Sequence, residues 1–343
     1  MIRDLTLLEG ISGHEDAVAI YIREALAGVG EITQDGIGNL VCTIRGTDPS
    51  ASSLLFAAHM DEIGFLVGDI TDRGFLRVQP IGGWNPATLS STEVDVITRE
   101  GGSVRGVFGL ISPHFLPKGS ELHLPSIEEL YVDVGASSFE EVKDLLGIEV
   151  GSLIIPVGHF SYRQVSGTVI SKALDDRIGV ASLIELARRL IEQPVVPTVK
   201  LVFSVQEEVG ARGASVLSTY VEAEAAFIVE GAPADDVPQG AQRPQTALGH
   251  GAHVRIYDPT HIASSHLLSH IEAVREAEGI TIQKSVRKGG GTDAARLALG
   301  GRGIPSIVLG VPVRYAHSHY GICSLFDYGE LVKLLYAVCE YMN

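Results

Sequence analysis

A short apolar run that ends in charged residues, SLLFAAHMDE at residues 53–62, decides the fold. Its first six positions carry small or apolar side chains without alternation, which is typical of a strand buried on both faces of a sheet. His59 and Asp61 follow the run directly. Because open α/β sheets form their ligand crevice beyond the carboxyl ends of the strands, we expect these two side chains in a binding site.

The same pattern returns along the chain, where other predicted strands and helices adjoin acidic or imidazole side chains. They are Glu207 and Glu208 after the run at 198–205, Glu230 after the run at 225–229, Asp175 and Asp176 at the start of a predicted helix, and His317 after the last apolar strand. Carboxylates gathered at one edge of a sheet repel one another unless a cation lies among them. Imidazole and carboxylate ligands without thiolates suit zinc, cobalt or manganese, and the number of carboxylates favours two ions.

The adjacent pair Glu207 and Glu208 has a specific geometric requirement. One carboxylate could bind metal while the other serves as a base, but side chains alternate along a strand. A turn at this pair is therefore needed for both to face the site.

The glycine-rich run at 289–293 lacks the lysine that follows a phosphate-binding loop, so we interpret it as a loop beside a substrate.

Outside the segment from about Leu66 to Tyr162, predicted strands alternate with predicted helices. This alternation predicts an α/β fold, a mixed sheet covered by helices on both faces. Within that segment glycine and β-branched residues dominate and helical periodicity is weak, which indicates a small β-rich insert. Near the N-terminus, Ser12 and Glu15 have the spacing of a capping box before an amphipathic helix.

Composition excludes several classes of protein. The chain has 343 residues, with 26 basic and 42 acidic side chains and a net charge of −16, which argues against a nucleic-acid or anionic-membrane partner. Its three cysteines are far apart, so we expect neither a disulfide framework nor a thiolate zinc site. The sequence offers no signal peptide and no apolar run long enough to span a membrane, and we expect a cytoplasmic protein.

Five motifs taken together resemble one known family. They are HMDEIGF (59–65), KALDDRIG (172–179), QEEVGARGA (206–214), GGTDAA (290–295) and RYAHS (314–318). In this order they resemble the family-42 metallopeptidases, the glutamyl and tetrahedral (TET) aminopeptidases that are sometimes labelled cellulases or endoglucanases. The resemblance covers nearly the whole chain. It implies a dinuclear exopeptidase domain of residues 1–66 plus 162–343, with an inserted β-rich oligomerisation domain at 67–161.

The resemblance also implies a role for each site residue. His59, Asp175 and Glu230 would bind one ion, and Asp175 would bridge to a second ion held by Glu208 and His317. Asp61 would orient His59, and Glu207 would act as the general base. Thr292 and Asp293 would belong to a loop near the substrate. Where this chain has Glu230 the family commonly has Asp, and related dinuclear peptidases commonly hold the bond between Asp175 and Asp176 in the cis form.

The activity that the resemblance implies is removal of N-terminal residues from peptides by a metal-bridging hydroxide, with zinc or cobalt as the expected ions and manganese as a further candidate. The implied assembly is a tetrahedral homododecamer built from dimers. An N-deacylase or deblocking peptidase on the same dinuclear core stays open, as does a non-catalytic assembly protein. Glycan hydrolysis by paired acids is a weaker alternative, because it explains neither His59 nor His317.

Overall fold

The structure is a computed structural model that describes residues 1–115 and 125–342. These residues form two compact units. The first contains Met1–Glu62, Phe160–Ala316 and the described residues from Tyr320 onward, and the second contains the described residues of Ile63–His159 together with His317–His319.

Strands and helices are numbered here in chain order. The strands up to residue 156 are β1 (Glu31–Gln34), β2 (Leu40–Ile44), β3 (Ser53–His59), β4 (Gly64–Ile70), β5 (Phe75–Ile81), β6 (Glu93–Ile97), β7 (Ser103–Gly109), β8 (Tyr131–Asp133) and β9 (Leu153–Pro156). The later strands are β10 (Ser161–Arg163), β11 (Thr168–Ser171), β12 (Thr198–Ser204), β13 (Ala225–Pro233), β14 (Ala252–Asp258), β15 (His261–Ile262), β16 (Ile282–Val286), β17 (Ser306–Arg314) and β18 (Gly321–Ser324). The α-helices are α1 (Ile2–Leu7), α2 (Asp16–Ala25), α3 (Leu174–Glu192), α4 (Arg212–Leu217), α5 (Ser265–Glu278), α6 (Ala294–Leu297) and α7 (Leu325–Tyr341).

The first unit is built on one mixed sheet with the strand order β1-β2-β12-β3-β13-β17-β18-β11-β10, from which β14, β15 and β16 branch beside β17. Its centre is parallel, because β12 and β13 both pair in parallel with β3, and β17 pairs in parallel with β13. Parallel neighbours end at the same edge of a sheet. The carboxyl ends of these four strands therefore bring the residues that follow them to one place.

Both faces of the central sheet are covered, as the unalternating apolar runs predict. Phe56 stacks on Phe227 with ring centroids 4.9 Å apart, and both belong to a large core that includes the buried residues of α3 and α7. The intervening residues Leu55 and Ala57 belong to a second core with α4 and α6. Alternate residues of one strand thus serve opposite layers, which confirms the predicted α/β fold class.

The second unit is a closed barrel of six strands within its described residues, in the order β4-β5-β8-β7-β6-β9. Its core joins Phe65, Phe108 and aliphatic side chains, and Phe65 also stacks on Trp84 at 4.8 Å. Short helical segments lie between the strands, at Pro86–Thr88, Pro113–Phe115, Ile127–Glu129 and Glu141–Leu145. The β-rich character predicted for this part of the chain is therefore confirmed.

Two local predictions differ from the structure. The strand predicted at 225–229 continues to Pro233, because its pairing with β17 extends to Pro233 and Val313. The capping box predicted from Ser12 and Glu15 is wrong: Glu15 is the N-cap of α2, and its side chain makes no capping hydrogen bond. Among the described helices, none combines the length and apolarity that a bilayer crossing requires.

The N-terminal segment is anchored by a fully buried arginine near the start of α3. The guanidinium of Arg177 donates to the backbone carbonyls of Leu5 (2.8 Å), Leu8 (3.3 Å), Gly10 (3.1 Å) and Met60 (2.6 Å). A buried cation needs such partners, because an unpaired charge in the interior is costly. Arg177 thereby fixes residues 5–10 to α3 and to the end of β3.

We expect Arg177→Met to lower the free energy of unfolding by about 3–5 kcal/mol, because the carbonyls lose their donor inside the core. Limited proteolysis should then cleave within the first ten residues before the rest of the chain. The matched control is Arg188→Met on the same helix, whose half-exposed side chain pairs with Glu185 at 3.6 Å; it should change stability by less than about 0.5 kcal/mol. Equal urea midpoints for the two variants would contradict the anchoring role.

Candidate active site

The imidazole of His59 is the centre of the predicted metal cluster. His59 is the last residue of β3 and is 2% exposed. Its Nε2 lies 3.3 Å from Asp175 Oδ1 and 3.9 Å from Glu230 Oε2. One potential ligand atom from each of the three residues lies within 4.8 Å of the others. The structure thus brings His59, Asp175 and Glu230 together at the carboxyl edge of the sheet.

The two aspartates before the body of α3 have different surroundings. The bond between Asp175 and Asp176 is cis, as expected, and both residues have non-helical backbone angles. The carboxylate of Asp176 is fully buried and accepts hydrogen bonds from the backbone N–H groups of His59 (3.2 Å) and Gly179 (3.1 Å). Asp176 therefore ties the end of β3 to α3, while Asp175 is the aspartate that lies beside the imidazole.

Glu230 lies inside β13, opposite Gly310 of β17, and is 6% exposed. Two other acids that follow this strand, Asp235 and Asp236, are engaged elsewhere. Asp235 accepts the backbone N–H groups of residues 245 and 246, and Asp236 forms a two-bond ion pair with Arg314. Of the acidic residues near this strand end, Glu230 is the one the structure brings to His59.

Glu207 and Glu208 follow β12 after a sharp change of backbone direction. Gln206 has a φ of 55°, in the left-handed region, so the strand has ended before the pair begins. Asp61 then holds both residues, its Oδ1 accepting Glu207 N–H at 2.9 Å and its Oδ2 accepting Glu208 N–H at 3.1 Å. The turn that the sequence required at this pair is present, and a carboxylate oxygen of Glu208 lies within 4.8 Å of one from Asp175.

The contact between Asp61 and His59 is looser than those with the glutamates. His59 Nδ1 lies 3.0 Å from the backbone oxygen of Asp61 and 3.4 Å from its carboxylate Oδ1. The carboxylate of Asp61 makes shorter contacts with the backbone N–H groups of Glu207 and Glu208. It also accepts a hydrogen bond from Ser12, whose Oγ donates to Oδ2 at 2.6 Å. The imidazole of His59 therefore lies closer to the backbone carbonyl of Asp61 than to its carboxylate, and the role of Asp61 in orienting His59 stays a prediction.

Thr292 and Asp293 are buried just before α6. Asp293 Oδ2 accepts a hydrogen bond from Ser204 Oγ at 2.5 Å, and Thr292 Oγ1 accepts one from Ala294 N–H. Burial raises the pKa of Asp293 to about 6. The bond to Ser204 fixes this loop on the last residue of β12, immediately before the turn to Glu207, and the role of the loop in substrate binding stays a prediction.

His317 has a left-handed backbone, with a φ of 59°, and belongs with the second unit. There its Nδ1 lies 2.8 Å from the backbone oxygen of Gly83. His319, the neighbouring imidazole, places Nε2 2.9 Å from the backbone oxygen of Val157. The two histidines therefore contact different parts of that unit, and the ligand role of His317 stays a prediction.

The electrostatics of the cluster favour a cation. Burial raises the pKa of Glu207 well above its usual range, and the carboxylates of Glu230, Asp293 and Glu208 add to the effect. Burial likewise raises the pKa of Glu230, with Asp176 and Asp175 contributing in the same direction. Buried carboxylates with raised pKa values are typical of a site that binds a divalent cation, because the cation favours their ionised form. The oxygen and imidazole donors of His59, Asp175 and Glu230 are those that zinc, cobalt and manganese accept.

Sequence reasoning missed three residues whose side chains support the residues at the carboxyl edge of the sheet. Ser12 binds Asp61 as described above, Glu15 Oε1 accepts Gln206 N–H at 3.0 Å, and Asn39 Oδ1 accepts Val205 N–H at 2.9 Å. Ser12 and Glu15 did carry a signal, their capping-box spacing, but that local pattern pointed to α2 instead. Asn39, fully buried, has no comparable local signal.

Comparisons with known proteins point to one family. The family model described as M42 glutamyl aminopeptidase matches residues 38–334. The glutamyl aminopeptidase of Lactococcus lactis subsp. cremoris (strain MG1363) is 32% identical, and the match covers 100% of this chain and 96% of that protein.

Solved structures give the same result. The TET aminopeptidase of the marine sediment archaeon Thaumarchaeota archaeon SCGC AB-539-E09 superposes with a TM-score of 0.95 at 33% identity, covering 100% of this chain and 96% of that one. The TET1 peptidase of Pyrococcus horikoshii, which can assemble into a tetrahedron or a large octahedral shell, has a TM-score of 0.87 at 32% identity, covering 99% and 98%. Because the family model matches residues 38–334 and a relative that is 32% identical covers the whole chain, this chain belongs to the M42 glutamyl aminopeptidase family.

Proposed function

We propose that this protein is a metal-dependent aminopeptidase that removes N-terminal residues from peptides. The observation that carries the proposal is the convergence of His59, Asp175 and Glu230, with ligand atoms within 4.8 Å of one another, at the sheet edge that also carries Glu207. Membership of the M42 family supports the same reaction class. Neither paired-acid glycan hydrolysis nor a purely structural role explains why an imidazole lies among these buried acids.

Two divalent ions would complete the site. His59, Asp175 and Glu230 would hold one, and Asp175, Glu208 and His317 would hold the other, with Asp175 shared. Zinc or cobalt suits these donors, and manganese is a further candidate. When bound, such ions supply Lewis acidity that polarises a peptide carbonyl and makes a water molecule more acidic.

Glu207 acts as the general base in this proposal. Its carboxylate removes a proton from the attacking water as the new carbon–oxygen bond forms at the first peptide carbonyl. It then gives that proton to the nitrogen of the departing peptide as the carbon–nitrogen bond breaks, which returns Glu207 to its starting state. Asp61 holds the backbone of Glu207 throughout, and the Thr292–Asp293 loop contacts the substrate beside it.

The test is a release assay over aminoacyl-nitroanilides with acidic, aliphatic and basic residues, each with zinc, cobalt and manganese. We expect release from at least one substrate. Glu207→Gln should lower kcat by ~10²–10⁴-fold, because it removes the proton acceptor without removing a proposed ligand. Metal content by elemental analysis should stay at the wild-type level.

Glu208→Gln is the matched control, since it alters the neighbouring carboxylate in the same way. It should lower the metal content itself. No release from any substrate with any metal would refute the aminopeptidase proposal, and release from N-blocked peptides alone would indicate a deblocking or deacylating enzyme. A near-normal kcat for Glu207→Gln would show that Glu207 is not the base.

Glu230 provides a separate test of the ligand set. Glu230→Ala should weaken the ion shared with His59 and leave one metal per subunit, with weak activity that high metal concentration partly restores. Glu230→Asp, the residue common in the family, shortens the side chain by one methylene and should keep two metals and substantial activity if the backbone adjusts. Two metals per subunit in Glu230→Ala would remove Glu230 from the ligand set.

We also propose self-association into a tetrahedral dodecamer built from dimers, as the assembly of the TET1 neighbour suggests. The second unit exposes the apolar side chains Leu110 (46%), Ile111 (54%) and Phe115 (78%), which suits an interface. Multi-angle light scattering should give twelve times the subunit mass of 36.5 kDa. The double variant Ile111→Ser/Phe115→Ser should shift the mass toward smaller species. A monomeric wild type at micromolar concentration would contradict self-association, and a stable dimer would contradict the dodecamer.

A further inference from the structure

The segment that carries the proposed general base is held in an unusual way. Four consecutive backbone N–H groups, from Val205 to Glu208, each donate to a side-chain oxygen. The acceptors are Asn39 Oδ1 for Val205 (2.9 Å), Glu15 Oε1 for Gln206 (3.0 Å), Asp61 Oδ1 for Glu207 (2.9 Å) and Asp61 Oδ2 for Glu208 (3.1 Å). Because β12 ends at Ser204, these N–H groups donate to side-chain oxygens instead of to the carbonyl groups of a neighbouring strand.

The carboxylate of Glu15 binds two backbone N–H groups outside its own helix. Glu15 is the N-cap of α2, but its carboxylate does not bind the free N–H groups of that helix. Instead Oε1 accepts two backbone N–H groups, Gly13 at 2.8 Å and Gln206 at 3.0 Å. Glu15 is 6% exposed, and burial raises its pKa to about 7, so ionising this carboxyl in the interior is unfavourable.

The residue that Glu15 holds is the one that sets the direction of Glu207. Gln206 has a φ of 55°, a conformation that side chains other than glycine adopt at a cost. Without its partner, Gln206 could relax toward negative φ, and that rotation would swing the following residue away from the site. The hydrogen bond from Gln206 N–H to Glu15 opposes this relaxation.

A second contact from the same loop acts in the same direction. Ser12 Oγ donates to Asp61 Oδ2 at 2.6 Å, and Asp61 in turn accepts the N–H groups of Glu207 and Glu208. The loop from Ser12 to Glu15 therefore supports the catalytic segment at two points, directly through Gln206 and indirectly through Asp61.

We infer that Glu15 is a positioning residue for the general base: through Gln206 it holds Glu207 in the orientation that proton transfer needs. The inference rests on the proposed aminopeptidase function, since it assigns Glu15 a role in that reaction. Catalysis depends steeply on such alignment, and a displacement of about 1 Å can cost ~100-fold in rate.

The test compares two substitutions that differ in one property. Glu15→Met keeps a similar volume but removes the acceptor, whereas Glu15→Gln keeps an Oε1 that can accept both N–H groups. The matched control is Glu330→Met in α7, because Glu330 is also buried (4% exposed) and also accepts a backbone N–H, that of Thr281 at 2.6 Å. Loss of Glu330 should cost stability without touching the segment from Val205 to Glu208.

Two readouts are measured on the full-length, metal-loaded protein. Hydrogen exchange followed by mass spectrometry should show faster exchange in peptides that cover residues 205–208 for Glu15→Met, and wild-type exchange there for Glu15→Gln and Glu330→Met. In steady-state kinetics, Glu15→Met should lower kcat by about 10–100-fold with KM and metal content near wild type. Glu15→Gln should recover most of kcat.

Unchanged exchange at residues 205–208 in Glu15→Met would overturn the inference, and so would an unchanged kcat. Equal loss of kcat in Glu15→Met and Glu330→Met would also overturn it, because both would then act only through stability. If Glu15→Met does not fold, Glu15→Ala, which also removes the acceptor, replaces it and should speed exchange at residues 205–208 and lower kcat. An inactive wild type would refute the proposed function instead, while the exchange rates would still decide whether Glu15 holds the segment.

Discussion

Two consecutive glutamates can face one site only where the strand that carries them has already ended, and Asp61 makes that possible here. Its two carboxylate oxygens accept the N–H groups of Glu207 and Glu208. Those groups would otherwise continue a ladder with β3 or remain unpaired in a partly buried crevice. Asp61 follows the end of β3 after one intervening residue, Met60, so the strand that delivers His59 also fixes the turn after its neighbour β12. Because β12 and β3 pair in parallel, the N–H groups of Glu207 and Glu208 lie beside the carboxylate of Asp61.

The same edge concentrates negative charge that the fold alone does not neutralise. Burial raises the pKa of Glu207, and the nearby carboxylates of Glu230 and Asp293 raise it further, while the imidazole of His59 opposes the rise. Backbone N–H groups satisfy Asp61 and Asp176, whereas Glu230 and Asp175 turn toward the imidazole. The acids therefore divide into those that accept backbone N–H groups and those that lie beside the imidazole of His59.

Much of this arrangement could be predicted from the sequence, and for a physical reason. A parallel strand buried on both faces appears as a continuous apolar run, and the residue after it must lie at the carboxyl edge of the sheet. That rule located His59, Asp61, Glu207 and Glu208 from residue order alone. It located Glu230 less accurately, since β13 continues to Pro233 through its pairing with β17. Strand ends depend on the neighbouring strand, which a single run of residues does not specify.

The supporting residues could not be predicted, because their partners are distant in the chain and their local patterns suggest something else. Ser12 and Glu15 have the spacing of a capping box, and in an isolated helix they would bind the N–H groups of its first turn. In the folded chain Gly13 has a φ of 87°, which turns the loop so that Glu15 accepts Gly13 N–H and reaches Gln206. The same two side chains can thus serve the start of a helix or the turn that carries Glu207 and Glu208. Only the position of β12 beside this loop, a consequence of the whole sheet order, selects between them.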